Sequence, residues 1–182
     1  MRSVILQMSV SLDGYVAMPD GNGDWGVGNE HEAVTAWKLD SVRRVGTHIM
    51  GRVTYQAMAA HWPTSTSDYA APMNDTPKVV FSRSLATADW PESRIARGNL
   101  TEEIDALRQE PGGDIMAHGG ATFVQALSQR RLIDEYRLVI RAVALGSGLP
   151  LFADLSKPLP LSLVSATTYP DGTAIHVYRP TP

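Results

Sequence analysis

The 182-residue chain contains no cysteine. That excludes disulfides, thiolate zinc sites and cysteine nucleophiles, and it agrees with a reducing cytosol. Neither charge sign dominates, because 16 Lys and Arg are interspersed with 19 Asp and Glu. There is thus no basic stripe for nucleic acid and no polybasic anchor for a membrane. Long apolar runs are missing too: MRSVILQMSVSLDGY is broken by Asp13-Gly14 before it could act as a signal peptide or a span. Repeats, low-complexity stretches and linker-like segments are absent. With 43% hydrophobic residues, residues 1–182 read as one well-buried domain. The expected protein is cytoplasmic, and its partner is a small molecule or a second copy of the chain.

The familiar hydrolytic constellations are also missing. His31-Glu32 begins H-E-x-x-H, but Thr35 stands where the second zinc ligand belongs. Gly146-Ser147-Gly148 is not G-x-S-x-G, there is no Walker loop, and the histidines lack metal-ligand spacing, so no metal is expected. GNGDWG, residues 21–26, matches G-x-G-x-x-G letter for letter. It nevertheless follows a turn, Met18-Pro19-Asp20, and carries Asp24 where a phosphate would be repelled. A dinucleotide loop needs a strand before it and a helix after it. This copy reads as a Gly/Asn/Asp loop.

What is present is alternation. Apolar, β-branched runs at 3–10, 47–50, 78–82, 114–118 and 136–145 read as strands. Between them, Val34, Trp37, Val42 and Val45 line one helical face, Leu100 to Glu110 reads as a helix capped by Thr101, and Phe123, Val124 and Leu127 mark another. Alternating strands and helices predict an α/β fold with a mostly parallel sheet. Pro170-Asp171-Gly172, between two alternating segments, predicts a C-terminal antiparallel hairpin.

Open α/β sheets bind ligands beyond their strand ends, and three strand ends carry suitable residues. Met50-Gly51-Arg52-Val53-Thr54 offers a glycine for close backbone approach, a guanidinium and a hydroxyl. Phe81-Ser82-Arg83 offers a second hydroxyl and arginine. His118-Gly119-Gly120-Ala121-Thr122 places two glycines at a helix start, where backbone N–H groups can hold a pyrophosphate.

These segments, taken with Ser11-Leu12-Asp13-Gly14-Tyr15-Val16-Ala17, Leu132-Ile133-Asp134-Glu135-Tyr136 and Leu145-Gly146-Ser147-Gly148-Leu149-Pro150-Leu151-Phe152, resemble the dihydrofolate reductase-like superfamily. The closer resemblance is to the reductase domain of the riboflavin-biosynthesis deaminase-reductase family. It covers nearly the whole chain and implies a mixed sheet of about eight strands with flanking helices.

By that resemblance Gly51, Arg52 and Thr54 meet the phosphates of NADPH, and Ser82 and Arg83 surround its 2′-phosphate. Gly119, Gly120, Ala121 and Thr122 hold the pyrophosphate, while Val16 and Ala17 lie against the nicotinamide. Asp13 and His118 are the candidate catalytic groups. Thr35 stands where folate reductases carry a carboxylate, and Glu30 or Glu32 reaches that place only by a shift of helix register. Residues 18–28 become a mobile segment with Trp25 as an apolar cover against the substrate. The implied activity is hydride transfer to a small heterocycle, 5-amino-6-(5-phosphoribosylamino)uracil above all, in a homodimer without a deaminase zinc motif. Dihydrofolate or pterin reduction, and a nucleotide-binding module without turnover, are the alternatives.

Overall fold

Strands covered on both faces read as continuous apolar runs rather than alternating ones, and the runs seen in the sequence form the middle of one sheet. The computed structural model describes residues 1–26 and 28–181; Val27, within the 18–28 segment, and Pro182 lie outside the described residues. Its larger sheet comprises β1 (Val4–Ser11), β3 (Thr47–Gly51), β4 (Lys78–Phe81), β5 (Ser93–Ala96), β6 (Ile115–Ala117), β7 (Glu135–Arg141), β9 (Leu161–Thr168) and β10 (Ala174–Pro180). The spatial order is β5-β4-β3-β6-β1-β7-β10-β9. Every pairing is parallel except those of β10, which runs against β7 and β9 in the expected hairpin. A second, two-stranded antiparallel sheet joins β2 (Tyr15–Ala17) to β8 (Leu149–Pro150).

Neighbouring residues of a strand face opposite sides, and the core divides accordingly. On one face Leu6, Ile49, Val79 and Ile115 pack under α4 (Leu100–Gln109) and α5 (Ala121–Gln129) through Ile104, Leu107, Val124 and Leu127. On the other, Met50, Val80 and Met116 meet Val42 of α1 (Glu32–Arg43), Tyr55 of α2 (Arg52–His61) and Met73 of α3 (Ala70–Asp75). The same α1 covers Val139 and Ile175 with Val34. Each fully buried aliphatic side chain contributes roughly 1.5–3 kcal/mol, so these contacts fix the layer order.

One buried charge on the α1–α3 face is fully engaged within the protein. Lys78, only 1% exposed, donates to the carbonyls of Met73, Asn74 and Thr76 at 3.0, 2.8 and 2.7 Å. Its ammonium lies 4.5 Å from the Trp90 ring centroid, and burial pushes its pKa down to about 8. The lysine thereby closes the C-terminus of α3. That fixes the carbonyl of Pro72, which accepts from His48 at 3.2 Å.

Four sequence expectations are corrected. Asn99, not Thr101, caps α4: its side chain accepts from Thr101 N at 2.9 Å. β7 stops at Arg141 instead of reaching Leu145, because Leu145 N and Gly146 N turn away to the Asp13 carboxylate. β9 starts at Leu161, although the alternating pattern before the hairpin begins at Leu159 and runs to Tyr169. Finally, β5 was not foreseen, since its SRIA sequence has no apolar run.

Candidate functional site

The parallel register gathers the three glycine- and arginine-bearing segments. Gly51 pairs with Phe81, Phe81 with Ala96, and Ile49 with Ala117. The chain therefore leaves β5, β4, β3 and β6 along one carboxyl edge, bringing Arg97, Ser82-Arg83, Gly51-Arg52 and His118-Gly119-Gly120 there together.

Local packing accounts for the glycines. A Cβ on Gly51 would stand 3.3 Å from that of Phe123, whose ring packs against Phe81 at 5.2 Å between centroids. Gly120 has φ +100°, and a Cβ there would lie 2.8 Å from Thr54 Oγ1. The Thr54 hydroxyl donates a short hydrogen bond to the Gly119 carbonyl, while His118 N donates to Ile49 O at 2.9 Å. Thr54 is therefore occupied within the protein, which corrects its expected place on a phosphate.

The two helices that start here are open at their N-termini. α2 begins after Gly51 and α5 after Gly120, neither with a side-chain cap, whereas α1 is capped by His31 and α4 by Asn99. A helix's first N–H groups have no intrahelical partner and lie at the positive end of its dipole. Two such ends on one edge form a cradle whose free N–H groups could receive an anionic ligand. Ala121 is buried at the cradle wall and Thr122 is exposed.

Arginines follow along the same carboxyl edge. Arg52 is exposed, with Gln56 Oε1 3.3 Å away, and Arg83 is exposed. Arg97, which the sequence reading missed, reaches the carbonyls of Leu85 and Ala86 at 3.4 and 3.3 Å. The Ser82 hydroxyl accepts from Leu85 N at 3.0 Å and so shapes the arginine-bearing turn.

Toward β1 the picture changes from phosphate cradle to wall. Val16 and Ala17 are 7% and 9% exposed, with Val16 packed in the core. Asp13 accepts from Ser11 Oγ at 2.6 Å, Gly146 N at 2.7 Å and Leu145 N at 3.1 Å. The Ser11 hydroxyl, then the two amides, hold its pKa down at about 2. Asp13 carries no proton at neutral pH, which corrects its candidacy as an acid. It ties the β1–β2 turn to residues 145–146.

His118 is held neutral. Its Nε2 lies 2.8 Å from His48 Nδ1, and burial, then the neighbouring His48, hold its pKa well below the ordinary value. Thr35 is exposed, and its hydroxyl donates to Glu30 Oε2 at 3.3 Å. Glu30 reaches Thr35 from the segment before α1 with no shift of helix register. Its other oxygen meets Lys38 Nζ at 2.6 Å and Arg141 Nη1 at 3.4 Å; Lys38 also reaches Ser9 Oγ at 3.3 Å. Burial, then Glu30, raises the pKa of Tyr69, whose hydroxyl donates to Thr35 O at 2.9 Å.

The 18–26 segment carries no strand-to-helix loop. Asp20, Asn22 and Asp24 each accept from the backbone N–H two residues on, at 2.9, 2.9 and 3.1 Å. The hexapeptide is thus a run of turns. Trp25 is half-buried, with its indole Nε1 shielded and without a partner among the described residues.

A family model described as the RibD C-terminal domain matches residues 2–175. The chain belongs to that family. The uncharacterized proteins YyaP and YwjB of Bacillus subtilis (strain 168) are 29% and 30% identical to it, covering 98% of this chain and 95% and 98% of their own lengths. A candidate riboflavin biosynthesis protein from Shewanella sp. PV-4 superposes with a TM-score of 0.81 at 23% identity, over 99% of both chains. The deaminase/5-amino-6-(5-phosphoribosylamino)uracil reductase of Thermotoga maritima gives 0.71 at 15% identity, with 99% of this chain covering 57% of that longer one. Dihydrofolate reductase from Enterococcus faecalis, complexed with NADP(H), gives 0.64 at 12% identity over 99% and 97% of the two chains. The RibD C-terminal domain here thus has the dihydrofolate reductase-like fold. Among the described residues, no helix is long and apolar enough to cross a membrane, and no cluster of His, Asp and Glu could hold a metal.

Two outcomes test this geometry. Gly120→Ala is expected to cost about 1–3 kcal/mol in urea denaturation, because alanine is strained at that φ and its Cβ meets Thr54. Gly119→Ala is expected to cost less, since its Cβ would meet only the flexible end of Met8. Asp13→Asn is expected to lower the thermal midpoint at pH 7. The two proteins should converge as pH falls from about 4 to about 2, because a depressed carboxylate pKa stabilises the fold above its unfolded value and is lost on protonation.

Proposed function

We propose that the chain is an NADPH-dependent reductase that delivers hydride to a small heterocycle of the 5-amino-6-(5-phosphoribosylamino)uracil type. The observation that carries this reading is the pair of uncapped helix N-termini, after Gly51 and Gly120, on one sheet edge with Arg52, Arg83 and Arg97. Residues 119–122 would hold the pyrophosphate on backbone N–H groups. Ser82 and the arginines would surround the 2′-phosphate, whose two negative charges favour guanidinium partners.

When bound, NADPH supplies the hydride. The protein's part is alignment and exclusion of water. Val16 and Ala17 wall the nicotinamide side, and Trp25 covers the substrate. With Asp13 ionised and His118 neutral, the proton that accompanies the hydride comes from water. Glu30, Lys38 and Arg141 together carry one net positive charge, from two cations and one carboxylate. That suits a substrate with an anionic group near Thr35. A cytoplasmic homodimer belongs to the same proposal: edge strand β9 is uncharged, with Leu163 and Val164 54% and 50% exposed, and can pair with the β9 of a second copy.

Thermal unfolding tests the cofactor. At a hundredfold excess over Kd, NADPH is expected to raise the midpoint by about 5–10 °C, from roughly 2.7 kcal/mol of linkage in a chain of this size. NADH should do much less, and Arg52→Ala with Arg83→Ala should bring the two cofactors level. Equal shifts in the unaltered protein would count against the arginine clamp. A screen for NADPH oxidation across pyrimidine, pterin and flavin precursors then identifies the substrate. Sedimentation tests the dimer, which Leu163→Lys is expected to split into monomers.

A further inference from the structure

His48 is buried in the middle of β3 with 0% exposure, and nothing in the proposed reaction uses it. Both its ring nitrogens are engaged: Nε2 lies 3.2 Å from the Pro72 carbonyl and Nδ1 lies 2.8 Å from His118 Nε2. A carbonyl can only accept, so His48 must carry its proton on Nε2 and offer a lone pair at Nδ1. His118 Nε2 must then be the donor. The proton order runs from His118 Nε2–H to His48 Nδ1, and from His48 Nε2–H to Pro72 O. Reversing it would set two acceptors against each other at Pro72. Both imidazoles are neutral at pH 7: burial brings His48 to about 4 and holds His118 well below its ordinary value.

The consequence falls on the remaining nitrogen. His118 Nδ1 has no hydrogen-bond partner among the described residues, and His118 is only partly buried. It stands at the carboxyl end of β6, directly before Gly119-Gly120. We propose that His48 is a positioning residue that fixes His118 as the Nε2–H tautomer, so that the open Nδ1 accepts from a ligand N–H or O–H. The site then favours an exocyclic amine or ring N–H, as in an aminopyrimidine, and disfavours a carbonyl or carboxylate at that point. The choice of an aminopyrimidine rests on the reductase reading above, whereas the proton order within the pair does not.

The test is a long-range proton–nitrogen NMR correlation on the full chain labelled with 15N-histidine at pH 7. His48 and His118 are both expected as the neutral Nε2–H form. In His48→Leu, which removes the acceptor, His118 should shift to a mixture of tautomers. In His48→Gln, whose amide oxygen can still accept, it should keep its form. With NADPH present, 5,6-diaminouracil should move the His118 Nδ1 resonance and leave Nε2 in place. Its affinity should fall by about threefold to tenfold in His48→Leu and less in His48→Gln, the effect of one hydrogen bond. A His118 proton on Nδ1 in the unaltered protein, or an unchanged tautomer in His48→Leu, overturns the role of His48. If His48→Leu does not fold, the unaltered and His48→Gln spectra decide by the same criterion. Failure of the aminouracil to bind any of the proteins, with the tautomer as expected, instead overturns the ligand class and counts against the reductase reading.

Discussion

The hydrogen bond from the Thr54 hydroxyl to the Gly119 carbonyl holds the candidate site together. It joins the first turn of α2 to the loop that opens α5. These segments are 65 residues apart in sequence but leave adjacent strands of one parallel sheet. Around this bond the glycines follow from steric fit. Phe123 needs Gly51, and Thr54 needs Gly120. The fit sets the two uncapped helix N-termini side by side, with Thr54 bridging them.

The proton inventory complements that cradle. Asp13 is held ionised by three donors and His118 is held neutral by burial and His48. The groups closest to the expected reacting edge therefore have fixed charge states across the physiological range. Such a site orients a ligand rather than exchanging protons with it, which is what hydride transfer from a bound cofactor asks of a protein. The charged residues with freedom to act lie farther out, at Glu30, Lys38 and Arg141 on one side and at the arginine cluster on the other.

Much of this was legible in the sequence because it is written in local order. Strand, glycine and helix follow one another at residues 47–61 and 115–129, a pattern that sets a helix N-terminus at a strand's carboxyl end. The failures share a physical cause: they depend on partners remote in sequence. Thr54 looked free because Gly119 lies far along the chain. Glu30 looked misplaced because counting along α1 cannot show a side chain folding back from the preceding segment onto Thr35. Arg97 went unseen because β5 joins the sheet through pairing with β4 rather than through an apolar run. His48 sits inside THIMG, where a lone histidine gives no sign that it sets the tautomer of another. Conversely, GNGDWG matched a binding pattern yet is a string of turns, because a pattern without its flanking strand and helix has no dipole to offer.

A crystal structure with NADP⁺ bound tests the central claim most directly. The pyrophosphate should accept from the backbone N–H groups of residues 120–122, with the 2′-phosphate among Ser82, Arg52, Arg83 and Arg97. A cofactor seated elsewhere, or with its phosphates beyond hydrogen-bond distance of both helix N-termini, would contradict it.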